Sequence, residues 1–254
     1  MSTPVTVYIP AYQEEANLRL VLPTVTWADE ILVADSFSTD GTAQLCKEAG
    51  VRRVDIPFHG FGQLRNEALK LASYDWIVSI DSDERSTPEF AAEVRQTLAS
   101  PQHAGYFVPR RNFFLGRAVR YCGMYPDYRQ PQVFDRRNFR YRADLVHEGF
   151  ECSGSLGYFK SAIVQHPFPT LAVVMAKNER YTTLMAERYY QDGRRAGFGK
   201  LAFSPLAGFL KKYFLQQGFR EGMNGFLIAG LHAYYTFVKY AKLWELQRPK
   251  TRSV

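Results

Sequence analysis

Asp81 and Asp83 stand one residue apart in the run Ile80-Asp81-Ser82-Asp83-Glu84, directly after the apolar stretch Trp76-Ile77-Val78-Ser79-Ile80. Side chains alternate faces along an extended chain, so two carboxylates at this spacing share a face. Such a pair suits Mg2+ or Mn2+, which use one or two carboxylates and complete their coordination from substrate phosphates and water. The same residues also read as a solvated acidic turn closing a strand, because Asp-x-Asp alone is a short pattern. The elements around the pair bear on which reading holds.

Between residues 5 and 99, short β-like runs alternate with helical stretches. Strands are predicted over 5–9, 31–34, 51–56 and 76–80, and helices over 16–22, 42–49, 62–72 and 87–99. Pro23 stops the first helix, Ser38-Thr39-Asp40 supplies capping chemistry before the second, Gly50 ends it, and Pro88 opens the fourth. Repeated strand–helix units imply an α/β fold with a mainly parallel sheet flanked by helices. Ligands of such sheets bind at the carboxyl ends of the strands. Pro10-Ala11-Tyr12, Asp35 and Asp81-Ser82-Asp83 all fall there. From 105 to 168 the pattern changes to short β-like pieces rich in Arg, Tyr and Phe, and beyond Leu171 it turns helical, over 171–191, 205–217 and 221–246. Gly218, Gly222, Gly225 and Gly230 weaken the last join. The expected organisation is a domain over 1–168, in two halves that divide near residue 100, followed by a helical extension over 169–254.

The 254 residues carry a net charge of +7, and 46% are hydrophobic, ample for a full core. The charge is uneven: from Arg194 onward there are eleven Lys or Arg against two acids, whereas the first 193 residues carry twenty-one basic and twenty-three acidic side chains. That asymmetry points to an anionic partner, a membrane or a nucleic acid. No N-terminal stretch resembles a signal peptide, and the longest apolar run, Phe226 to Val238, is interrupted by His232 and falls short of the ~20 residues of a membrane span. Cys46, Cys122 and Cys152 form no metal or disulfide framework and fit a reducing, cytoplasmic compartment.

Read in order, Ile9-Pro10-Ala11-Tyr12-Gln13-Glu14-Glu15, Val33-Ala34-Asp35-Ser36-Phe37-Ser38-Thr39-Asp40-Gly41-Thr42, Leu64-Arg65-Asn66-Glu67-Ala68 and Ile80-Asp81-Ser82-Asp83 form a set. In that set the chain resembles the family 2 inverting glycosyltransferases with the GT-A fold, and within them the bacterial lipopolysaccharide-core β-1,4-glucosyltransferase group. The resemblance implies transfer of a hexose, glucose by this likeness, from a UDP-sugar to a lipid-linked or phosphorylated saccharide acceptor, with residues to about 100 as the nucleotide-sugar half and 101–168 as the acceptor half. Tyr12 would then stack on the uracil ring beside Pro10 and Ala11, with Glu14 in the same loop, or else serve only to pack that loop. Asp35 would accept a hydrogen bond from the base, or close a turn. Arg65 would reach the nucleotide as a fork donor, or be an exposed helix cation. Asp81 and Ser82 would meet the ribose or a metal-bound water, and Asp83 would bind Mn2+ or Mg2+ directly. Two positions depart from the family pattern: Gln13 stands where Asn is usual, and Phe37 where a small residue is usual.

Inversion requires a base that takes the acceptor hydroxyl proton. The subgroup's Val-His-Glu segment appears here as Val146-His147-Glu148, which implies Glu148 as base and His147 as a partner of acceptor or phosphate. Asp127, in Tyr125-Pro126-Asp127, is the competing carboxylate. Nine arginines, no lysine and two acids lie between Arg110 and Arg142. Guanidinium forks there suit a phosphorylated acceptor, or else pair across a solvated β surface. The aromatic and basic tail suits adsorption to an anionic membrane, at the inner face of a bacterial plasma membrane, or supplies helix-packing core. Rival readings keep the fold and change the acceptor to a polyprenyl phosphate, a capsule or a protein. A further one discards catalysis for nucleic-acid binding, which leaves the strand-end carboxylates without a role.

Overall fold

In the computed structural model, which describes residues 3–142 and 149–248, strand β1 (Val5–Ala11) shows the period-two alternation that organises one unit of the chain. Val5, Val7, Ile9 and Ala11 enter the core on one face of the sheet and Tyr8 enters the core on the other. After α1 (Glu15–Val21) and a 3-10 turn (Leu22–Thr24) that holds Pro23, β2 (Glu30–Asp35) repeats the alternation with Val33 against Leu32 and Ala34. Next come α2 (Thr42–Glu48), β3 (Arg52–Asp55), α3 (Phe61–Leu71) and β4 (Trp76–Ser79), where Trp76 and Val78 oppose Ile77. A two-residue strand, β5 (Glu84–Arg85), precedes α4 (Pro88–Leu98), which Thr87 caps by accepting the Phe90 N–H at 3.1 Å.

The strands that follow are short: β6 (Gly105–Phe107), β7 (Arg110–Phe114), β8 (Arg117–Ala118), β9 (Pro131–Asp135), β10 (Phe139–Tyr141), β11 (Phe150–Cys152), β12 (Leu156–Tyr158) and β13 (Ile163–Phe168). Helices α5 (Leu171–Gln191), α6 (Phe198–Leu210) and α7 (Met223–Leu246) complete the chain, with a π turn at Lys211–Leu215 and a 3-10 turn at Gly218–Glu221 between the last two. Among the described residues, 3–111, 127–142 and 149–166 form one compact unit, and 112–126 with 167–248 form a second.

The first unit is built on a seven-stranded sheet in the order β12-β6-β9-β4-β1-β2-β3. The β4-β1-β2-β3 block is parallel, and β9 runs antiparallel to both β4 and β6. Helices α1 and α4 cover one face through Leu18, Val21, Phe90, Val94 and Leu98, and α3 covers the other through Leu64, Ala68 and Leu69. This is the α/β, mainly parallel architecture expected from the alternating pattern.

In the second unit the helix read from Pro205 begins seven residues earlier and runs through that proline. Proline forfeits one backbone hydrogen bond in a helix interior. Here Leu201, a turn before it, packs against the buried Ala186, Ala196 and Leu243, so packing extends the helix past the position local sequence favours as its start. The break before α7 sits where the glycines suggested, with Gly222 in the left-handed region at φ 59°. Gly225 lets α7 approach the 3-10 turn so closely that a Cβ there would lie 1.8 Å from the Gly218 carbonyl oxygen.

Asn66 locks α3 to β10: its side-chain amide donates to the Tyr141 carbonyl at 2.8 Å, and its carbonyl accepts the Tyr141 N–H at 3.0 Å. Asn66→Ala leaves both backbone groups without these partners and should lower unfolding free energy by ~1–3 kcal/mol, read from the midpoint of a urea titration.

Candidate active site

Parallel register brings the site together. Ala11 and Asp35 are direct neighbours across β1 and β2, and the Ile80 N–H donates to the Tyr8 carbonyl at 3.0 Å, so the segments after three strands leave the sheet at one end. The first two of these segments are tied to each other. Gln13 donates its backbone N–H to Ser38 Oγ (2.8 Å) and its side-chain amide to Thr39 Oγ1 (2.8 Å), and its side-chain carbonyl accepts the Asp40 N–H (3.1 Å). Asp40 accepts the Glu15 N–H and Glu15 accepts the Gly41 N–H, completing the lacing. Gln13 and Phe37, the two departures from the family pattern, sit in the left-handed region at φ 57° and 61°. Asn and Gly are the residues that enter that region most readily, which explains why those types are usual there. Tyr12 and Phe37 stand 62% and 56% exposed at the ends of adjacent strands.

Asp35 is fully buried, and its Oδ1 accepts both the N–H (3.1 Å) and the hydroxyl (2.5 Å) of Ser38 while Oδ2 faces Arg53 Nε at 3.4 Å. Its carboxylate thus shapes the turn that carries Phe37. Glu14, half-buried beside Tyr12, accepts from Asn17 at 2.6 Å.

Arg65 is 4% exposed, so it is not a solvated helix cation. It donates to Asp81 Oδ1 at 2.9 Å and to Ser79 Oγ at 3.0 Å, and lies 5.3 Å from the centroid of the Tyr141 ring. Enclosure works against ionisation of Asp81, but the guanidinium groups of Arg65, Arg110 and Arg129 outweigh it and hold the carboxyl below its ordinary range. Asp81 therefore remains an anion with about a third of its side chain open to solvent.

The turn bearing the two aspartates is fastened from beneath by Glu84, which has no exposed surface. Its Oε1 receives Arg110 Nε at 2.6 Å, and its Oε2 receives Gln132 Nε2 at 3.0 Å and the Asp81 N–H at 2.9 Å. Arg85 Nη1 donates to the Ser82 carbonyl at 2.7 Å, Gln165 Nε2 to Asp83 Oδ1 at 3.1 Å, and the His166 N–H to the Asp83 carbonyl at 2.9 Å. Burial pushes the Glu84 carboxyl up to about 7; Arg110 opposes that shift, and Asp81 and Asp83 add to it. Glu84, Gln132 and Gln165 were not read from the sequence as site residues, and Arg110 only as one of the arginines suited to a phosphorylated acceptor. Glu84 stood in the quoted run, but its partners lie 26 and 48 residues away, and no local spacing reveals them.

Asp127 joins the same end of the unit. Its carbonyl accepts from Arg110 at 3.4 Å and its carboxylate is paired with Arg129 at 2.6 Å. The arginine concentration is in good part structural: besides Arg110 and Arg129, Arg136 pairs with Asp75, Arg137 with Asp135, and Arg142 with Glu151. His147 and Glu148 lie outside the described residues.

Asp81 and Asp83 offer hard oxygen donors at a partly open strand end, a donor set that fits Mg2+ or Mn2+. Among the described residues no group of three or more His, Cys, Asp or Glu could hold such an ion by itself. Replacing Glu84 by Ala strands the Arg110 charge and should cost ~3–5 kcal/mol in denaturant unfolding. Raising a buried acid's pKa means folding takes up a proton, so the Glu84 contribution to stability falls as pH rises from 4.5 through about 7. Glu84→Gln should flatten that part of the stability–pH curve relative to the wild type.

A family model for glycosyl transferase family 2 matches residues 6–165. The chain is 32% identical to the lipopolysaccharide core biosynthesis glycosyltransferase LpsC of Rhizobium meliloti, over 98% of this chain and 95% of that protein. An uncharacterized glycosyltransferase of Rickettsia bellii is 23% identical over 98% of this chain and 90% of its own length. Among solved structures, residues 1–349 of TarS from S. aureus in complex with UDP-GlcNAc share the fold, with a TM-score of 0.52 at 14% identity, covering 96% of this chain and 91% of that one. With the strand-end carboxylates, the parallel sheet and this near full-length relative in agreement, the chain belongs to glycosyltransferase family 2 and has the GT-A fold.

Proposed function

We propose that the protein is an inverting, metal-dependent hexosyltransferase that moves glucose from a UDP-sugar to a lipopolysaccharide-core-like acceptor at the inner face of a bacterial plasma membrane. The observation that carries this reading is the Asp81–Asp83 turn, in which Asp81 is held ionised and aimed by Arg65 from one side and its N–H is fixed by the buried Glu84 from beneath. The relative LpsC is named for lipopolysaccharide core biosynthesis, which supports the acceptor class, and the fold match to a UDP-GlcNAc complex makes a uridine diphosphate sugar the first donor to try.

In this reading Tyr12 stacks on the base beside the Pro10 and Ala11 backbone. Glu14 borders the same loop, and Asp35 meets the base or holds the turn that does. Asp83 would hold the metal, and Asp81, with Ser82, would meet the ribose or the water beside that ion. When bound, Mg2+ or Mn2+ supplies Lewis-acid neutralisation of the departing diphosphate. Arg65 keeps Asp81 oriented and charged. Glu148 takes the proton from the attacking acceptor hydroxyl, with His147 contacting acceptor or phosphate, and Asp127 is the competing base. The acceptor's oxygen displaces the diphosphate at the anomeric carbon, inverting its configuration.

Calorimetric titration of UDP with Mn2+ should show metal-dependent binding by the wild type and its loss in Asp83→Ala; metal-independent binding in both would overturn the metal assignment. Glu148→Gln should lower kcat by about 10²–10⁴ with UDP affinity retained, and a loss of that size in Asp127→Asn instead would transfer the base to Asp127.

A further inference from the structure

We propose that α6 and the π turn after it form a docking face for an anionic lipid bilayer surface. This rests on the membrane-side reading above and goes beyond it by naming the element that makes the contact. The sequence of α6, Phe-Gly-Lys-Leu-Ala-Phe-Ser-Pro-Leu-Ala-Gly-Phe-Leu, holds one charge, yet no residue of the helix is buried. A helix apolar all round is ordinarily enclosed by protein or by lipid. This one has thirteen residues, about 20 Å of helix, and so is too short for a span of roughly 30 Å. No helix among the described residues is long and apolar enough to cross a membrane.

Rings on the inner side fasten this segment to α7. Phe209 stacks on Tyr213 at 5.4 Å, and Phe226 meets both at 5.8 and 6.1 Å. The opposite side is left open. Phe203, Leu206, Leu210 and Phe214 follow one another at helical spacing and are 67%, 54%, 43% and 54% exposed, while Phe198 and Leu215 flank them at 85% and 80%. Exposed apolar surface of this extent marks a binding face.

Charge selects the occupant. Arg194, Arg195, Lys200, Lys211, Lys212 and Arg220 lie before, within and after this segment in the sequence, and residues 193 to 220 contain no acid. The first acid after it, Glu221, has an oxygen taken by the backbone N–H groups of Arg120 and Tyr121 at 2.8 and 2.9 Å. A second copy of the chain would bring the same six cations against themselves. An anionic bilayer neutralises them and accepts the aromatic and leucine side chains at its interface.

The test is co-sedimentation of the full chain with phosphatidylcholine vesicles that contain or lack phosphatidylglycerol, without donor or acceptor. The wild type should bind the anionic vesicles, and added salt should weaken binding. Phe203→Ser/Leu206→Ser/Phe214→Ser should weaken it by about tenfold or more, with unchanged circular dichroism and UDP titration, since these side chains are exposed and lie outside the donor site. Lys200→Glu/Lys211→Glu should lose the preference for anionic lipid. Absence of wild-type vesicle binding, equal binding by the triple variant, or a dimer in sedimentation equilibrium that the triple variant abolishes would each overturn the proposal. UDP binding with no vesicle binding would remove only this face; vesicle binding with no UDP binding would remove the donor reading and leave the face intact.

Discussion

A carboxylate with no exposed surface lies under the strand-end turn, and its two oxygens gather Arg110, Gln132 and the Asp81 N–H. Glu84 is the point from which the chemistry of this end is held. A buried carboxyl is tolerated because each oxygen has a donor, and removing any of them would strand charge in a low-dielectric interior. By accepting the Asp81 backbone N–H, Glu84 converts a flexible acidic turn into one whose side chains point in fixed directions. Arg65 completes the arrangement from α3, so two guanidinium groups from distant parts of the chain keep two neighbouring carboxyls apart in role. Asp81 is anionic and open to ligand, whereas Glu84 is enclosed and pushed toward neutrality. Unequal environments around adjacent acids are how a protein assigns them different work.

The sheet supplies the second constraint. Parallel pairing of β1 with β2 and with β4 makes the connecting segments emerge at one end, where their side chains converge without any long-range motif in the sequence. The first two segments stabilise each other through reciprocal side-chain bonds from Gln13, Asp40 and Glu15. Gln13 holds a left-handed backbone with help from these bonds. Phe37 holds one while its ring stands out from the surface, an arrangement that local backbone preference does not favour.

Within the helical unit, two kinds of apolar side chain serve different ends. Phe209, Tyr213 and Phe226 fasten the π turn and α6 to α7, whereas Phe203, Leu206 and Phe214 are each more than half exposed. The tail's aromatic content, read from sequence as either core or membrane face, is divided between the two.

Short apolar runs alternating with helical stretches, with Pro and Gly at the helix boundaries, were enough to read the parallel α/β architecture from the sequence alone, because those signals are local and each element carries its own. The Asp81–Asp83 pair was legible as a donor type but not in its geometry: β4 ends at Ser79 and Ser82 and Asp83 lie in a turn, so the alternation of an extended chain that the spacing suggested does not set their directions. The partners of those carboxylates were not legible: Arg65 read as a nucleotide fork or a solvated cation, Arg110 as one of the arginines suited to an acceptor, and Gln132 and Gln165 carried no signal, since hydrogen bonds across 16 to 82 residues depend on register and not on spacing. Pro205 misled for the complementary reason, as its local preference for a helix start yielded to the packing of Leu201. Sequence thus determined the elements and the donor types, through short-range periodicity and residue chemistry. Only the tertiary structure decided which acid is buried and which is open, because burial is a property of what folds over a residue and not of the residue itself.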